Sequence, residues 1–545
     1  MSDATYDAVV IGGGTKALFT AMYLAKYGGM EVGIFERRHE LGGGLASSES
    51  AAPGFIGDTH ATNMSRWYYL PIQDDFPDFA EKGGKLANYG AVLGAISRED
   101  HNCVVLYSSQ IDPDQERSAS EIARLSQKDA DTYLKLWELS RPGKKLYQAY
   151  IEEIFNLPAA PGEPTPTGNW LADYLKQPDC LIDAQWLTLM PYKAMQSLFE
   201  NSLISYMWLR RALAGGIDAI SSNPFRLILR ACTIPELCFA VGGTHNIAHA
   251  CIRILLEAGA KWFTRCEVDR ILTENGEAKG IRLLDGTEIR ARKLVVSGVD
   301  PYQLLTRLIG KDYTNGKVLR KLKQLEDDLS CITWFNWALR EPPKFKAAEF
   351  NPDIDECHNV VLGSKDLEVL YKEALLRRLG KFPPVQSTLL WHTYSHVDKS
   401  RAPAGKYSAL TEQFVPRGDL FSETEWLRFK KSHADDVIKE CSEYAANMSW
   451  DKVVGYDPET PYDTARQLIN MAPTGGWASG VDLCGVTRYL PIIELAHHRA
   501  PIKNLYATGG AWMAGGDCAK GYTCYKVIAE DMGLRKPWKE KERPY

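Results

Sequence analysis

Apolar residues in the first forty-five positions follow two different rhythms. Asp7-Ala-Val-Val-Ile11 is a short continuous apolar run, the pattern of a strand covered on both faces. From Thr15 to Lys26 the spacing becomes helical, with Leu18, Met22 and Ala25 on one face. Glu31-Val-Gly-Ile-Phe-Glu36 predicts a second strand. Strand, glycine turn, helix and strand make one half-unit of a doubly wound sheet. Between about 113 and 235 the pattern turns to long helical stretches, broken by the Pro/Gly-rich loop Pro158 to Gly168. There, Ala184 to Arg211 is dense in aromatic side chains such as Trp186, Tyr192 and Tyr206, suited to a cavity wall or to plain helix core. Residues 236–310 return to α/β character, with a helix at Asn246 to Glu257 and strands near 266–272, 280–284 and 293–297. Aromatic strands follow at 331–339, 387–394 and 407–414, with helices near 365–379 and 423–447. The strand Asn504 to Thr508, a glycine turn and a helix close the chain.

A chain of 545 residues exceeds one hydrophobic core. The expected division is a dinucleotide domain in three pieces (1–112, 236–327 and 484–545, the last with a solvated charged tail), a helical substrate or lid segment at 113–235, and a mixed-sheet substrate domain at 328–483. The net charge of −5 argues against nucleic acid as a partner, because phosphate backbones call for a basic surface. None of the 12 cysteines forms a CxxC pair, so neither a metal nor a disulfide framework is expected. That cysteine usage, without a secretory signal, fits a cytoplasmic setting. No apolar run approaches the ~18 residues that span a bilayer. The 14 Trp, 26 Tyr and 17 Phe leave peripheral membrane contact open, and the oligomeric state is undetermined.

The chemistry-bearing motif is Gly12-Gly13-Gly14-Thr15-Lys16-Ala17. Gly12 permits the tight turn, Gly14 lets backbone approach a pyrophosphate, and Ala17 stands where helix packs on strand. Thr15 and Lys16 open the helix whose positive N-terminus meets the phosphates. Glu36 ends the second strand, 24 residues after Gly12, where a carboxylate accepts hydrogen bonds from ribose hydroxyls. Arg37 follows it, and then a second glycine cluster, Gly42-Gly43-Gly44, which a plain NAD site does not need.

That second cluster is similar to the segment following the second strand in flavoprotein oxidoreductases. Further segments extend the likeness: Val241-Gly242-Gly243 with its helix, Glu267-Val268-Asp269, Val295-Val296-Ser297-Gly298-Val299-Asp300-Pro301, the turn Asp398 to Lys406, and Asn504 to Gly510 followed by Gly515-Gly516. In this order they resemble the phytoene desaturase, carotenoid isomerase and retinol saturase group of the FAD-dependent, amine-oxidase-like superfamily, over nearly the whole length. The resemblance implies an α/β fold, a Rossmann-type FAD-binding domain with an inserted mixed-sheet and helical substrate domain. It assigns FAD to Gly12, Gly14, Thr15, Lys16, Ala17, Glu36, Arg37, Gly43, Gly44, Val268, Gly509, Gly510, Gly516 and Asp517, with the Val268 backbone at the adenine. The sequence departs from the group at Ala511-Trp512-Met513, where Trp512 would reshape the substrate mouth beside the flavin.

Gly54 to His60 resembles the stretch crossing the flavin face, so Gly57 is expected to let backbone approach the ring. His60 is the first candidate for handling a proton, since its reference pKa lies near neutrality. His392 and His396, expected on one strand face about 13 Å apart at ~3.3 Å per residue, and the pair His497-His498 are further candidates. The implied substrate is lipophilic, of isoprenoid type, oxidised at an allylic C–H by hydride transfer to flavin N5. Trp186, Tyr192 and Trp512 would stabilise developing positive charge. The electrons then pass to an external acceptor: oxygen, a quinone, ferredoxin or a reductase. Desaturation, hydroxylation, isomerisation or saturation, and non-catalytic isoprenoid binding all remain open on this reading.

Overall fold

The computed structural model describes residues 4–157, 163–214, 219–220, 223–310, 313–324, 331–476, 493–510 and 517–545. The apolar strand Thr5–Ile11 lies at the centre of the first sheet. It pairs in parallel with Val32–Phe35 on one side and Glu288–Ser297 on the other. Lys261–Phe263 extends the first flank. On its other edge the long strand Glu288–Ser297 takes two further partners. Its first half takes the antiparallel pair Glu277–Leu283 and Val268–Glu274, and its second half takes Leu505–Ala507 in parallel. Val295 therefore neighbours both Val9 and Leu505, and the start, middle and end of the chain lie side by side. Helices Thr15–Lys26, His245–Glu257 and Asp517–Met532 bury their apolar stripes in one core against this sheet.

The second sheet runs Val453–Glu459, Ile332–Leu339, Tyr407–Phe414, Leu390–Thr393, Asn359–Gly363, Ala91–Ser97, Cys103–Tyr107. Ile332–Leu339 is buried along its whole length because both faces are covered. Ile332 and Trp334 enter the core shared with the helical segment, while Phe335, Trp337 and Leu339 face the core completed by helix Glu423–Tyr444. Strands Ala91–Ser97 and Cys103–Tyr107 belong to this sheet, so the stretch 1–112 contributes to both sheets. The parallel pairing of Val360 with Gly94 that recruits them leaves no local sequence pattern.

Within the helix-rich stretch Ala184 to Arg211, Pro191 opens helix Pro191–Leu198, and Asn201 caps helix Ser202–Leu213 by accepting from the Leu203 and Ile204 amides. Two local expectations change. The strand carrying His392 ends at Thr393 and the chain turns into the short helix Tyr394–Val397, reversing toward Tyr407–Phe414, so His396 does not share its strand face. The terminal charged stretch is docked rather than solvated. Trp538 is buried against Tyr522 and Tyr525, Arg543 donates to Asp75 at 2.7 Å, and the Tyr545 ring lies 5.0 Å from Phe155. Among the described residues no helix is long and apolar enough to cross a membrane.

Burial lowers the imidazoles of His396, His433 and His498 to about 4, 3 and 3. In the unfolded chain each titrates near 6.5, so below that pH the unfolded state binds more protons than the folded one. Stability is expected to be greatest above about pH 6.5 and to fall steadily as pH drops toward 3. A urea midpoint that does not decrease between about pH 7 and about pH 4.5 would contradict this.

Candidate functional site

The first strand ends at Ile11 and turns at Gly12, whose φ of +83° suits glycine. Gly14 is the N-cap of the next helix, with no side chain capping it, so the first helical N–H groups are available to an anionic ligand. The second glycine cluster folds back onto the first. The Gly42 amide donates to the Gly13 carbonyl at 2.8 Å, and a Cβ on Gly43 would lie 3.0 Å from the Gly14 Cα. Arg38 Nη1 donates to the Gly43 carbonyl at 3.3 Å and fixes this loop. Glu36 accepts from the Gly13 amide at 2.6 Å and the Arg38 amide at 2.7 Å, which leaves further lone pairs on its carboxylate. From the middle of the chain, the Gly298 amide donates to the Ile11 carbonyl at 2.7 Å. A Cβ on Gly509 would sit 2.0 Å from the Gly298 carbonyl oxygen, so the C-terminal turn closes on the same point.

These turns form one end of a cavity of about 750 Å³, within the range of small-molecule sites. Gly12, Gly14, Thr15, Lys16, Ala17, Glu36 and Arg37 line it, joined by Gly43, Gly44, Val268 and Gly510, while Gly509 supports it from behind. Trp512 and Gly516 lie outside the described residues, as does the side chain of Asp517, whose backbone begins the last long helix. Gly57 does not face the cavity. A Cβ there would meet Asn336 Oδ1 at 2.2 Å, so the close approach is between Gly57 and the second sheet. Trp186 and Tyr192 are spent on packing, the indole N–H on the Ala194 carbonyl at 3.2 Å and the phenol ring on Tyr371. The indoles that reach the cavity among the described residues are Trp67 and Trp334, and Trp334 is the one beside His60.

His60 also lines the cavity, with a φ of +70°. Its Nε2 lies 2.8 Å from Glu459 Oε1 and 3.3 Å from Thr464 Oγ1, and its ring meets Trp334 edge-on at 5.0 Å. Nδ1 is buried and has no hydrogen-bond partner among the described residues. His392 stands deeper, its Nδ1 2.6 Å from Asn359 Oδ1 and its Nε2 3.3 Å from Glu412 Oε1. Burial alone would raise the Glu412 carboxyl, but His392, Arg210 and Arg211 hold it down at about 2. His498 is structural: Nδ1 lies 2.6 Å from the Ala507 carbonyl and Nε2 2.9 Å from Thr523 Oγ1. His497 is exposed.

Sequence reasoning missed Arg38, Glu412, Glu459 and the buried pair of Arg401 Nη1 with Asp58 Oδ2 at 2.5 Å. Asp58 and Arg401 lie within segments singled out for their resemblance, but nothing local joins them.

The description "NAD(P)-binding Rossmann-like domain" belongs to the family model that matches residues 10–79. Over 98% of its length the chain is 26% identical to a limonene dehydrogenase component of Castellaniella defragrans, covering 96% of that protein. It is 24% identical to a neurosporene-forming phytoene desaturase of Rhodobacter capsulatus, over 83% of this chain and 81% of the relative. The chain is a homologue of these oxidoreductases. Among solved structures it shares the fold of wild-type putrescine oxidase bound to putrescine, with a TM-score of 0.57 at 14% identity over 97% of this chain and 100% of the other. The shared fold accounts for the two-sheet architecture and for glycine turns from distant parts of the chain meeting at one end of the cavity.

Two pairs of variants test this geometry. At Gly14 a Cβ meets nothing within 4 Å, so Gly14→Ala should leave unfolding within about 0.5 kcal/mol of wild type while abolishing dinucleotide retention. Gly509→Ala, with its clash on backbone, should lower the melting temperature as well. Equal dinucleotide retention in wild type and Gly14→Ala would refute the cradle. Arg401→Met, which strands the buried Asp58 carboxylate, should cost about 3–5 kcal/mol in urea unfolding, whereas Arg401→Lys should recover part of that loss.

Proposed function

We propose that the chain is an FAD-dependent oxidoreductase that removes hydride from an allylic C–H of an apolar, isoprenoid-type substrate, giving a desaturated or hydroxylated product. The observation that carries this reading is the continuity of one cavity from the glycine cradle to an aromatic chamber between the second sheet and the helical segment. The cradle fits FAD: the open helix amides suit a diphosphate, the Glu36 carboxylate suits a ribose diol, and the second glycine cluster gives backbone room beyond what a nicotinamide dinucleotide needs. When bound, FAD supplies a two-electron acceptor at its flavin ring.

The protein's part is orientation, water exclusion and proton management. Trp334 presents an indole to the cavity, where an aromatic face stabilises positive charge developing on the oxidised carbon. His60 Nδ1 takes the proton that a desaturation releases, with Glu459 fixing the ring through Nε2. A cation that instead meets water gives the alcohol. The electrons leave to an external acceptor. The Castellaniella relative is named as one component of a multi-component dehydrogenase, which makes a partner protein the first acceptor to test, ahead of oxygen, a quinone or ferredoxin. Prolycopene isomerases among the relatives support a second reading, rearrangement of a polyene without net redox change. Equal masses of substrate and product would select it.

Purified protein should carry the visible absorption of oxidised flavin, and Glu36→Leu should lower the flavin content. Anaerobic limonene, and failing that farnesene, is expected to bleach the band. His60→Gln should keep the flavin and slow bleaching by about 10²-fold. Product formed with the band unchanged under anaerobic conditions would overturn the redox assignment.

A further inference from the structure

The cavity arm lined by the helical segment is not uniformly apolar. Helix Ser202–Leu213 is buried from Leu203 onward, yet it carries two adjacent arginines in its last turn. Arg210 packs into the fold away from the cavity: its Nε donates to the Thr388 carbonyl, its Nη2 donates to the Glu412 carbonyl at 3.3 Å, and its guanidinium lies over the Phe414 ring at 4.8 Å, while its Nη1 is buried without a hydrogen-bond partner among the described residues. Arg211, the next residue around the helix, reaches the cavity wall instead. Its Nε is buried and has no hydrogen-bond partner among the described residues. Arg226, from the short helix Phe225–Ile228, lines the same arm, and its Nη1 is likewise buried without a partner among the described residues.

Among the described residues, the charged side chains lining this arm are the guanidiniums of Arg211, Arg226 and Arg230 and the carboxylates of Glu412 and Glu153. Glu412 is already engaged, by His392 at 3.3 Å and by the Thr62 hydroxyl at 3.2 Å, and Glu153 accepts from the Thr167 amide at 3.2 Å. Burial pushes the Arg211 guanidinium down and brings Arg230 to about 10, and a guanidinium in a protein keeps its charge at neutral pH. Dry guanidinium nitrogens are costly unless an anion receives their protons. A hydrocarbon filling this arm would leave Arg211 Nε and Arg226 Nη1 without an acceptor among the described residues.

We propose that this arm binds the carboxylate of a substrate whose remaining chain is apolar, held between Arg211 and Arg226. The proposal builds on the flavoenzyme reading by adding the polar end of its substrate. The planar fork of a guanidinium matches a carboxylate bidentately. A carboxylate brings one negative charge out of water, whereas a phosphate monoester, which carries close to two at neutral pH, costs more to desolvate in such an arm. A chain anchored there would lie with its unsaturated part toward Trp334 and His60 on the same cavity wall.

Calorimetric titration of the flavin-loaded protein with farnesoate, farnesol and farnesyl monophosphate tests this. Farnesoate should bind at least about tenfold more tightly than farnesol and more tightly than the phosphate. Arg211→Gln and Arg226→Gln should each remove most of the farnesoate advantage while leaving farnesol affinity and flavin content unchanged. Should Arg211→Gln fail to fold, Arg226→Gln carries the comparison. Equal affinity for farnesoate and farnesol in the wild type would overturn the proposal, as would tighter binding of the phosphate. Loss of flavin from folded arginine variants would also overturn it, by assigning these groups to the cofactor's diphosphate. Protein purified without flavin would sink the redox reading alone, since the heat of farnesoate binding still reports on the arginines.

Discussion

Asp58 is fully buried, and its carboxylate collects donors from three separate parts of the chain: the Ser47 hydroxyl at 2.7 Å, the Thr244 amide at 2.9 Å and Arg401 Nη1 at 2.5 Å. Its own carbonyl accepts from Asn336 Nδ2 at 3.2 Å, and Arg401 Nη2 donates to the Ala240 carbonyl at 2.7 Å. A buried carboxylate is tolerated only when its charge is paired and its lone pairs are occupied. Meeting that condition at one residue locks the second sheet, through Asn336 and Arg401, to the start of helix His245–Glu257, which packs on the dinucleotide sheet. His60, two residues further on, inherits its position from this junction.

The same junction determines where the cavity can be. Gly57 lies against Asn336 so closely that a methyl group would clash, which brings the Gly57–His60 strand down on the second sheet. The opposite wall comes from glycine turns at Gly12, Gly43, Gly298 and Gly509, which pack backbone against backbone with no side chains between them. One wall is rigid because it is hydrogen-bonded and charge-paired, the other because its glycines leave nothing to move. The space between them continues past the cradle into the helical segment.

Along that space the polarity changes in sequence. Helix amides and Glu36 line the end formed by the glycine turns, His60 and Trp334 line the wall beside the second sheet, and Arg211, Arg226 and Arg230 line the wall given by the helical segment. A pocket built only to exclude water would not place guanidinium groups on its wall, because desolvating a cation costs far more than apolar packing gains. The polarity of the arm therefore bears on which molecules fit, beyond the apolar character that the relatives suggest.

The cradle was legible in the sequence because its physics is local. An apolar run, a turn requiring glycine and a helix start lie within seventeen residues, and Glu36 follows at strand spacing. Collinear motifs likewise grouped Val268, Gly298 and Gly509, and the strands that carry or precede them lie in one sheet. What remained hidden depends on groups far apart in the chain that become neighbours only when the sheets close. Asp58 meets Arg401, His60 meets Glu459 and Val360 meets Gly94 through pairings that no periodicity encodes. The terminal residues read as solvated because their charges alternate, whereas Trp538 and Arg543 find partners on helices laid down far earlier in the chain or just before them. Local backbone and side-chain preferences thus determined the dinucleotide half of the site. Burial, which is a property of the assembled fold, decided which of the histidines, tryptophans and arginines reach the cavity and which are spent holding it together.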